Sequence, residues 1–121
     1  MTEFENAILI HFSKFTDERG SLVVWENKDL PFTPARTFTI SNVPTGQTRA
    51  NHSISCDLLL VALSGTVDVV LEHKHKKRLT SNKEGMWIKK NTFIVLENFS
   101  ENAILLAFAE EIYSQTIYKN R

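Results

Sequence analysis

The chain has 121 residues, a formal net charge of zero from 14 basic and 14 acidic side chains, and 42% hydrophobic residues. This length and composition predict one globular domain, residues 1–121, with a single hydrophobic core, and they exclude an intrinsically disordered chain. The balanced charge disfavours a nucleic-acid-binding surface, and the single cysteine, Cys56, excludes an intramolecular disulfide.

The N-terminal segment and the apolar segments indicate where the protein is located. Acidic residues come early and no basic segment precedes a long apolar run, so the start of the chain is unlike a signal peptide. No apolar stretch approaches the roughly 20 residues that cross a bilayer. One cysteine is also compatible with a reducing compartment. We therefore expect a cytoplasmic protein that does not bind membranes.

Short strand-like segments recur along the chain, and turn residues separate them. Residues 73–78 form a basic tip between two strands, and residues 110–121 are predicted to form a last strand or a short helix. No long segment has a 3.6-residue period, so the pattern predicts an all-β sandwich or barrel. The predicted strands are residues 7–12, 21–26, 36–41, 46–63, 66–71, 79–82, 86–88, 92–96 and 103–109.

The segment 46–71 is the most informative about function, because polar residues at its start precede an apolar run. Residues two apart on a strand share a face. His52 and Ile54 are therefore expected on one face, and Asn51 and Ser53 on the other. A single histidine at the start of a buried strand is more often a structural hydrogen-bonding residue than a catalyst, and both interpretations stay open at this point.

The histidines do not predict a metal site. Ile54 stands where a His-x-His pair beginning at His52 would need its second ligand. A site needs three or four converging N, O or S ligands. His73 and His75 form a true pair, but their basic neighbours oppose a cation and favour a solvated tip. We therefore expect neither a metal nor another cofactor.

Three arginines, Arg19, Arg36 and Arg49, each lie close to the start of a predicted strand. Guanidinium groups bind phosphate oxygens in a bidentate manner, so three converging arginines would suit a diphosphate. Three unrelated surface positions are the alternative. Cys56, beside Asp57 and before an apolar run, is expected to be a buried small residue rather than a nucleophile.

An ordered set of residues extends along almost the whole chain, from about residue 8 to about residue 118. This set resembles the cupin-type sugar-nucleotide 3,4-ketoisomerases, which act on TDP-4-keto-6-deoxy-D-glucose. No single motif is decisive, because each is short. The resemblance rests on the order of the motifs and on the length of the chain. The set comprises Asp17-Glu18-Arg19-Gly20, Glu26-Asn27, Leu30-Pro31-Phe32, Arg36 before an alternating strand, Gly46-x-x-Arg49-x-x-His52, and Leu63-Ser64-Gly65.

The resemblance implies an all-β fold, a small cupin-type jelly-roll β-barrel in a single domain, and a homodimer without a required metal. It also implies an isomerase that moves a ketone from C4 to C3 of a TDP-linked 4-keto-6-deoxy sugar. A base takes the C3 proton, an enediol forms and a proton returns at C4, which is chemistry that suits histidine. The product would serve deoxyamino-sugar biosynthesis for bacterial surface glycans such as lipopolysaccharide.

The resemblance also assigns roles to individual residues. His52 matches the first histidine of the family's Arg-Gly-x-His-Ala-His segment and would be the catalytic base. Arg19 matches the arginine of its Asp-x-Arg-Gly motif and would be the second catalytic residue. Arg49 and Arg36 match arginines expected to bind the substrate, and Asn51 is expected to contact the substrate as well.

Three positions depart from the family's pattern. Ile54 stands at the second active-site histidine, Phe38 at the active-site tyrosine, and Ala50 at a glycine. Ile54 and Phe38 are still expected to line the substrate pocket. An alternative register, one residue shorter, aligns the two histidines with Asn51 and Ser53 instead. Such a one-residue slip would turn His52 to the other face of the strand.

The departures leave three functional hypotheses. The first is an isomerase with His52 as its sole imidazole base. The second is a catalytically degenerate cupin that binds a sugar nucleotide or a protein partner without turnover, since each missing acid–base group typically contributes about 10²–10⁴-fold. The third is a related sugar-nucleotide isomerase or epimerase with a different substrate stereochemistry.

Overall fold

A computed structural model describes residues 3–120 of the chain. Within this range the chain forms β-strands and two short 3-10 helices, Asn27–Asp29 and Tyr113–Gln115. Neither of these helices is long or apolar enough to cross a membrane. The strands are β1 (Glu3–Phe4), β2 (Ala7–His11), β3 (Lys14–Asp17), β4 (Gly20–Val23), β5 (Arg36–Ser41), β6 (Arg49–Ile54), β7 (Leu58–Ser64), β8 (Val67–Leu71), β9 (His75–Leu79), β10 (Glu84–Ile88), β11 (Phe93–Glu97), β12 (Ile104–Ala109) and β13 (Tyr118–Lys119).

Two antiparallel sheets contain most of these strands. The larger sheet has six strands in the order β1-β2-β10-β7-β12-β5, and the smaller has five in the order β13-β6-β11-β8-β9. β3 and β4 pair with each other as a separate hairpin. The all-β prediction is confirmed, and strand β5 has the predicted bounds.

The main core lies between the two sheets, and strand β7 is buried on both of its faces. Leu58 and Leu60 belong to the cluster shared by the two sheets. Leu59 and Val61 belong to a second cluster, against which Trp25 packs. Because both faces of β7 are covered, its sequence is a continuous apolar run rather than an alternating one.

The prediction of one strand over residues 46–63 is wrong. The segment forms β6 in the smaller sheet and β7 in the larger sheet, with a corner between them. Polar contacts hold this corner. Ser55 Oγ donates to a Glu111 carboxylate oxygen at 2.7 Å, and Asp57 accepts from Trp87 Nε1 at 2.9 Å and from the Lys90 backbone N–H at 2.8 Å.

The first hairpin of the chain also differs from the prediction. The strand predicted at residues 21–26 begins at Gly20 and ends at Val23, and it pairs with β3, which the sequence pattern did not predict. The side chains of β3 are all exposed, so no apolar alternation marks this strand. Residues 17–20 form its hairpin turn, where Gly20 has a φ of 127° and the backbone N–H of Arg19 donates to Asp17 Oδ1 at 2.8 Å.

The basic tip is shorter than predicted, and the strand predicted at residues 79–82 is displaced. The turn between β8 and β9 contains Glu72 and His73, both with a φ of 54°. The chain then returns as β9 from His75 to Leu79, pairing with β8. Most of the predicted basic tip is therefore a strand, whose alternate side chains are exposed.

One of these basic residues stabilises a buried carboxylate. Asp68 on β8 is 2% exposed. It accepts hydrogen bonds from Arg78 Nε at 2.8 Å, from Arg78 Nη2 at 3.3 Å and from Asn98 Nδ2 at 3.1 Å. The hydrogen bonds from Arg78 lower the pKa of Asp68, and this effect outweighs the opposing effect of burial.

We predict that Arg78→Leu destabilises the protein by about 1–3 kcal/mol at neutral pH, because Asp68 keeps its buried charge but loses two donors. Since the folded pKa of Asp68 is lowered, the pair stabilises the fold above the ordinary Asp pKa of about 3.9. That contribution is lost as the pH falls through the folded pKa. Urea unfolding of both proteins from pH 7 downward should show the difference shrinking in acid.

The matched control is Lys74→Leu, just before the same strand. It removes an exposed ion pair, Lys74 Nζ to Glu5 Oε2 at 3.7 Å, and should cost less than about 1 kcal/mol. Equal losses for the two variants would contradict the role given to Asp68.

Candidate active site

A cavity of about 170 Å³ opens between the two sheets. Its polar lining groups belong to Arg49, His52 and Tyr118, and the other lining residues are apolar. A few polar groups in an apolar cavity are the usual features of a small-molecule site. The full lining consists of Phe38, Ile40, Arg49, Ala50, His52, Ile54, Leu58, Leu60, Ile94, Leu96 and Tyr118.

A β-bulge in β6 places Arg49 and His52 on the same face. On the neighbouring strand β11, Ile94 pairs with His52 and the next residue pairs with Ala50, so Asn51 has no partner position. Ala50 and Asn51 have φ values of 70° and 62°. One extra residue changes the alternation of side chains, so two residues three apart both line the cavity.

The sequence left open which side chains of β6 face the cavity, and the structure shows which ones do. His52 and Ile54 line the cavity together. Asn51 is exposed and donates from Nδ2 to Thr48 Oγ1 at 3.0 Å, and Ser53 contacts the backbone oxygen of Lys119 at 3.5 Å. The predicted substrate contact of Asn51 therefore does not come from the cavity lining, and it stays a prediction.

His52 is half-buried, and its imidazole is held at the cavity by ring packing. Its ring centroid lies 4.8 Å from that of Tyr118, with the planes at 67°. Nδ1 is buried and has no hydrogen-bond partner among the described residues. Burial lowers the pKa of His52, because the charged form loses water. The neutral imidazole, which is the form that accepts a proton, is therefore favoured at pH 7.

Arg36 lies beside the cavity and contacts two of its lining residues. Its Nη1 donates to the Tyr118 hydroxyl at 3.0 Å, and its guanidinium carbon lies 5.1 Å from the centre of the Phe38 ring. Its Nε and Nη2 are buried without partners among the described residues. The predicted arginine at the start of β5 therefore points toward the site and has donors in excess.

Ile54 and Phe38, which were expected to line the substrate pocket, both line the cavity. Ile54 is 6% exposed, and both side chains pack against the main core as well as the cavity. Neither can transfer a proton. Cys56 is also buried, at 2% exposure, and burial raises the pKa of its thiol. The expectation of a buried residue at Cys56 is confirmed.

The structure does not bring Arg19 to this cavity. Arg19 lies in the turn between β3 and β4, where its side chain is 84% exposed and its Nη2 lies 2.6 Å from Asp17 Oδ2. It does not belong to the cavity lining. Arg49 lines the cavity and Arg36 contacts two of its lining residues, whereas Arg19 does neither. The catalytic role of Arg19 therefore stays a prediction.

An open groove of about 520 Å³ adjoins the cavity along residues 39–49. Ile40 and Arg49 line both the groove and the cavity. The two spaces therefore adjoin at Ile40 and Arg49.

The described residues contain no group of three or more His, Cys, Asp or Glu side chains that could hold a metal. The second histidine pair contacts aromatic rings instead. His73 lies 4.7 Å from the Phe93 ring and His75 lies 5.9 Å from the Phe4 ring, measured between centroids.

The sequence pattern did not single out Tyr118. The prediction of a last strand or short helix in the tail is confirmed, because the tail contains a 3-10 helix and β13. β13 pairs with β6, and Tyr118 lies opposite Ile54. An aromatic residue in a polar tail is a weak signal, and its partner Arg36 is 82 residues away in the chain.

Known proteins resemble this chain over most of its length. A family model described as FdtA, WxcM-like, C-terminal, matches residues 5–121. The TDP-4-oxo-6-deoxy-alpha-D-glucose-3,4-oxoisomerase of Aneurinibacillus thermoaerophilus is 29% identical over 119 residues, covering 94% of this chain and 85% of that protein.

Two solved structures share the fold closely. The sugar 3,4-ketoisomerase QdtA of Thermoanaerobacterium thermosaccharolyticum, solved with TDP, is 29% identical with a TM-score of 0.86, covering 95% of this chain and 89% of that one. The TDP-quinovose 3,4-ketoisomerase WlaRB of Campylobacter jejuni is 28% identical with a TM-score of 0.86, covering 98% and 95%.

We predict that the imidazole of His52 titrates below its ordinary pKa of about 6.5, because its burial disfavours the charged form. Histidine resonances followed by NMR from pH 8 to pH 4, with His52→Gln to assign the signal, measure this directly. In urea the signal should return to the ordinary value.

The lowered pKa of His52 also makes the stability of the fold depend on pH. Because the folded pKa of His52 is the lower one, protonation favours the unfolded chain, and stability falls as the pH drops below about 6.5. A pKa for folded His52 above that value would contradict the burial argument.

Proposed function

The chain belongs to the FdtA family, WxcM-like, C-terminal, and on that premise we propose that it isomerises a TDP-linked 4-keto-6-deoxyhexose. The predicted resemblance to sugar-nucleotide 3,4-ketoisomerases is confirmed, and so are the cupin-type fold and the isomerase class. One observation carries the proposal. The imidazole of His52, whose lowered pKa favours its neutral form at pH 7, and the cationic side chain of Arg49 line the same apolar cavity.

The shape of the site suggests how the substrate lies. A cavity of about 170 Å³ is smaller than the roughly 300–1,000 Å³ of pockets that enclose a drug-sized ligand. We therefore place the keto sugar in the cavity and the nucleoside in the groove along residues 39–49. The diphosphate then lies at Arg49, which lines both spaces. The solved relative that holds TDP supports this choice of nucleotide.

The chemistry assigned to His52 follows from its environment. Its neutral imidazole takes the proton from C3 of the sugar, and the electrons of that bond form the enediolate. The protonated imidazole then returns a proton to C4, and the ketone forms at C3 as O3 loses its proton and O4 gains one. A base with a pKa near or below the working pH suits this exchange, and Arg36, with donors in excess, adds positive charge beside the site.

Binding without turnover is the second candidate function. Ile54 and Phe38 both face the cavity and neither can transfer a proton. A site that lost two proton-transfer groups could still bind TDP through Arg49. The assay described next distinguishes these two functions.

We predict that the purified protein converts TDP-4-keto-6-deoxyglucose to its 3-keto isomer, with the sugar signals followed by NMR. Arg49→Gln should weaken TDP binding about 10–100-fold, the equivalent of losing a charge-assisted interaction of about 1.5–3 kcal/mol. Lys28→Gln, which alters an exposed ion pair with Glu26, is the control.

The outcomes separate the candidates. TDP binding by calorimetry without any product would favour the binding protein over the isomerase. Neither binding nor product, from a folded sample, would overturn both.

We further propose a homodimer that works in the cytoplasm in deoxyamino-sugar biosynthesis for surface glycans such as lipopolysaccharide. The hairpin β3–β4 supports the dimer. Phe15 and Leu22 are cross-strand partners on one face, and they are 61% and 58% exposed. Exposed apolar pairs of this kind favour a protein partner. Arg19 lies in the turn of the same hairpin, and we propose that it reaches the cavity of the second subunit.

We predict that the double variant Phe15→Ser and Leu22→Ser weakens the dimer, because it removes the apolar area of the hairpin face. Sedimentation equilibrium over a range of concentrations measures the association. Lys14→Ser changes an exposed residue of the same strand without removing that area, and it should leave the dimer intact. A wild-type protein that is monomeric throughout would contradict the proposal.

A further inference from the structure

The reaction proposed above moves protons on oxygen as well as on carbon. When the ketone moves from C4 to C3, one proton passes from C3 to C4, and O4 must gain the proton that O3 loses. His52 accounts for the transfer between carbons. Among the described lining residues, Tyr118 carries the one other side chain able to give and take a proton, since Arg49 stays charged.

The position of Tyr118 fits this second transfer. Its ring packs edge-on against the His52 imidazole, with centroids 4.8 Å apart, so the two groups lie on adjacent parts of the cavity wall. β13 pairs with β6, and Tyr118 stands opposite Ile54, whose side chain lines the same cavity. Cross-strand neighbours have Cβ atoms only about 4.5–5.5 Å apart.

Arg36 sets the direction of the Tyr118 hydroxyl proton. Arg36 Nη1 donates to the hydroxyl oxygen at 3.0 Å. A guanidinium has only donors, so the hydroxyl must accept this hydrogen bond and direct its own proton elsewhere. The hydroxyl proton is therefore free to point away from Arg36, while Arg36 Nε and Nη2 are buried without hydrogen-bond partners among the described residues.

We propose that Tyr118 is the catalytic acid–base that exchanges protons with the two sugar oxygens, an inference that rests on the proposed isomerase function. As His52 removes the C3 proton, the Tyr118 hydroxyl donates its proton to O4. The phenolate then takes the proton from O3 as the C3 ketone forms and His52 returns a proton to C4. Both residues end in their starting protonation states, and no oxidant or other reactant is consumed.

Tyr118→Phe tests this role because it keeps the ring that packs on His52 and removes only the hydroxyl. With TDP-4-keto-6-deoxyglucose as substrate, kcat should fall about 10²–10⁴-fold, while the affinity for TDP stays unchanged. Tyr113→Phe is the matched control, because it keeps the ring that contacts Arg36 and Tyr118 and removes only a hydroxyl from a residue that does not line the cavity. It should retain the wild-type kcat.

Deuterium exchange separates proton transfer from a structural role. In D₂O, His52 of the variant still removes the C3 proton and returns deuterium to C3, but the enediolate lacks the group that exchanges protons between its oxygens. The ratio of 3-keto product to deuterium incorporated at C3 should therefore be lower for Tyr118→Phe than for the wild type. A structural defect would lower both rates together and leave the ratio unchanged.

The outcomes distinguish this inference from the function on which it rests. A wild type that is active and a Tyr118→Phe variant with the same kcat, or with an unchanged ratio of product to exchange, would overturn the role of Tyr118 alone. A folded wild type that forms no product and exchanges no C3 deuterium would overturn the isomerase function and this inference with it.

Discussion

The β-bulge in β6 is the constraint on which the rest of the site depends. Side chains on a regular strand alternate between its two faces, so Arg49 and His52, three residues apart, would point to opposite sides of the sheet. The bulge at Asn51 adds one residue to β6 relative to β11, and both side chains then line the cavity. A backbone irregularity therefore brings the Arg49 cation and the His52 imidazole to the lining of one cavity.

This irregularity requires unfavourable backbone angles. Ala50 has a φ of 70°, a conformation that costs a residue with a Cβ about 1–2 kcal/mol. Asn51, at 62°, tolerates it better and also donates to Thr48. Pairing with β11 on one side and β13 on the other holds β6 in this shape.

The sequence predicts those parts of the fold that depend on local patterns. Strand β5 was predicted with correct bounds because its residues alternate strictly between faces. The bulge at Asn51 and the corner at Asp57 were missed, because each depends on partners from distant strands, β11 for one and Trp87 for the other. Tyr118 was missed for the same reason, since 82 residues separate it from Arg36.

The apolar residues at the expected histidine and tyrosine positions have a physical effect of their own. Ile54 and Phe38 help keep water from His52, and burial is what lowers the pKa of its imidazole. The neutral form of the imidazole is therefore favoured at pH 7. Strand β13 brings Tyr118 opposite Ile54, so its hydroxyl-bearing side chain lines the same cavity as His52. The two side chains that we propose as proton-transfer groups therefore lie on neighbouring strands, and the apolar residues between and around them limit the access of water to both.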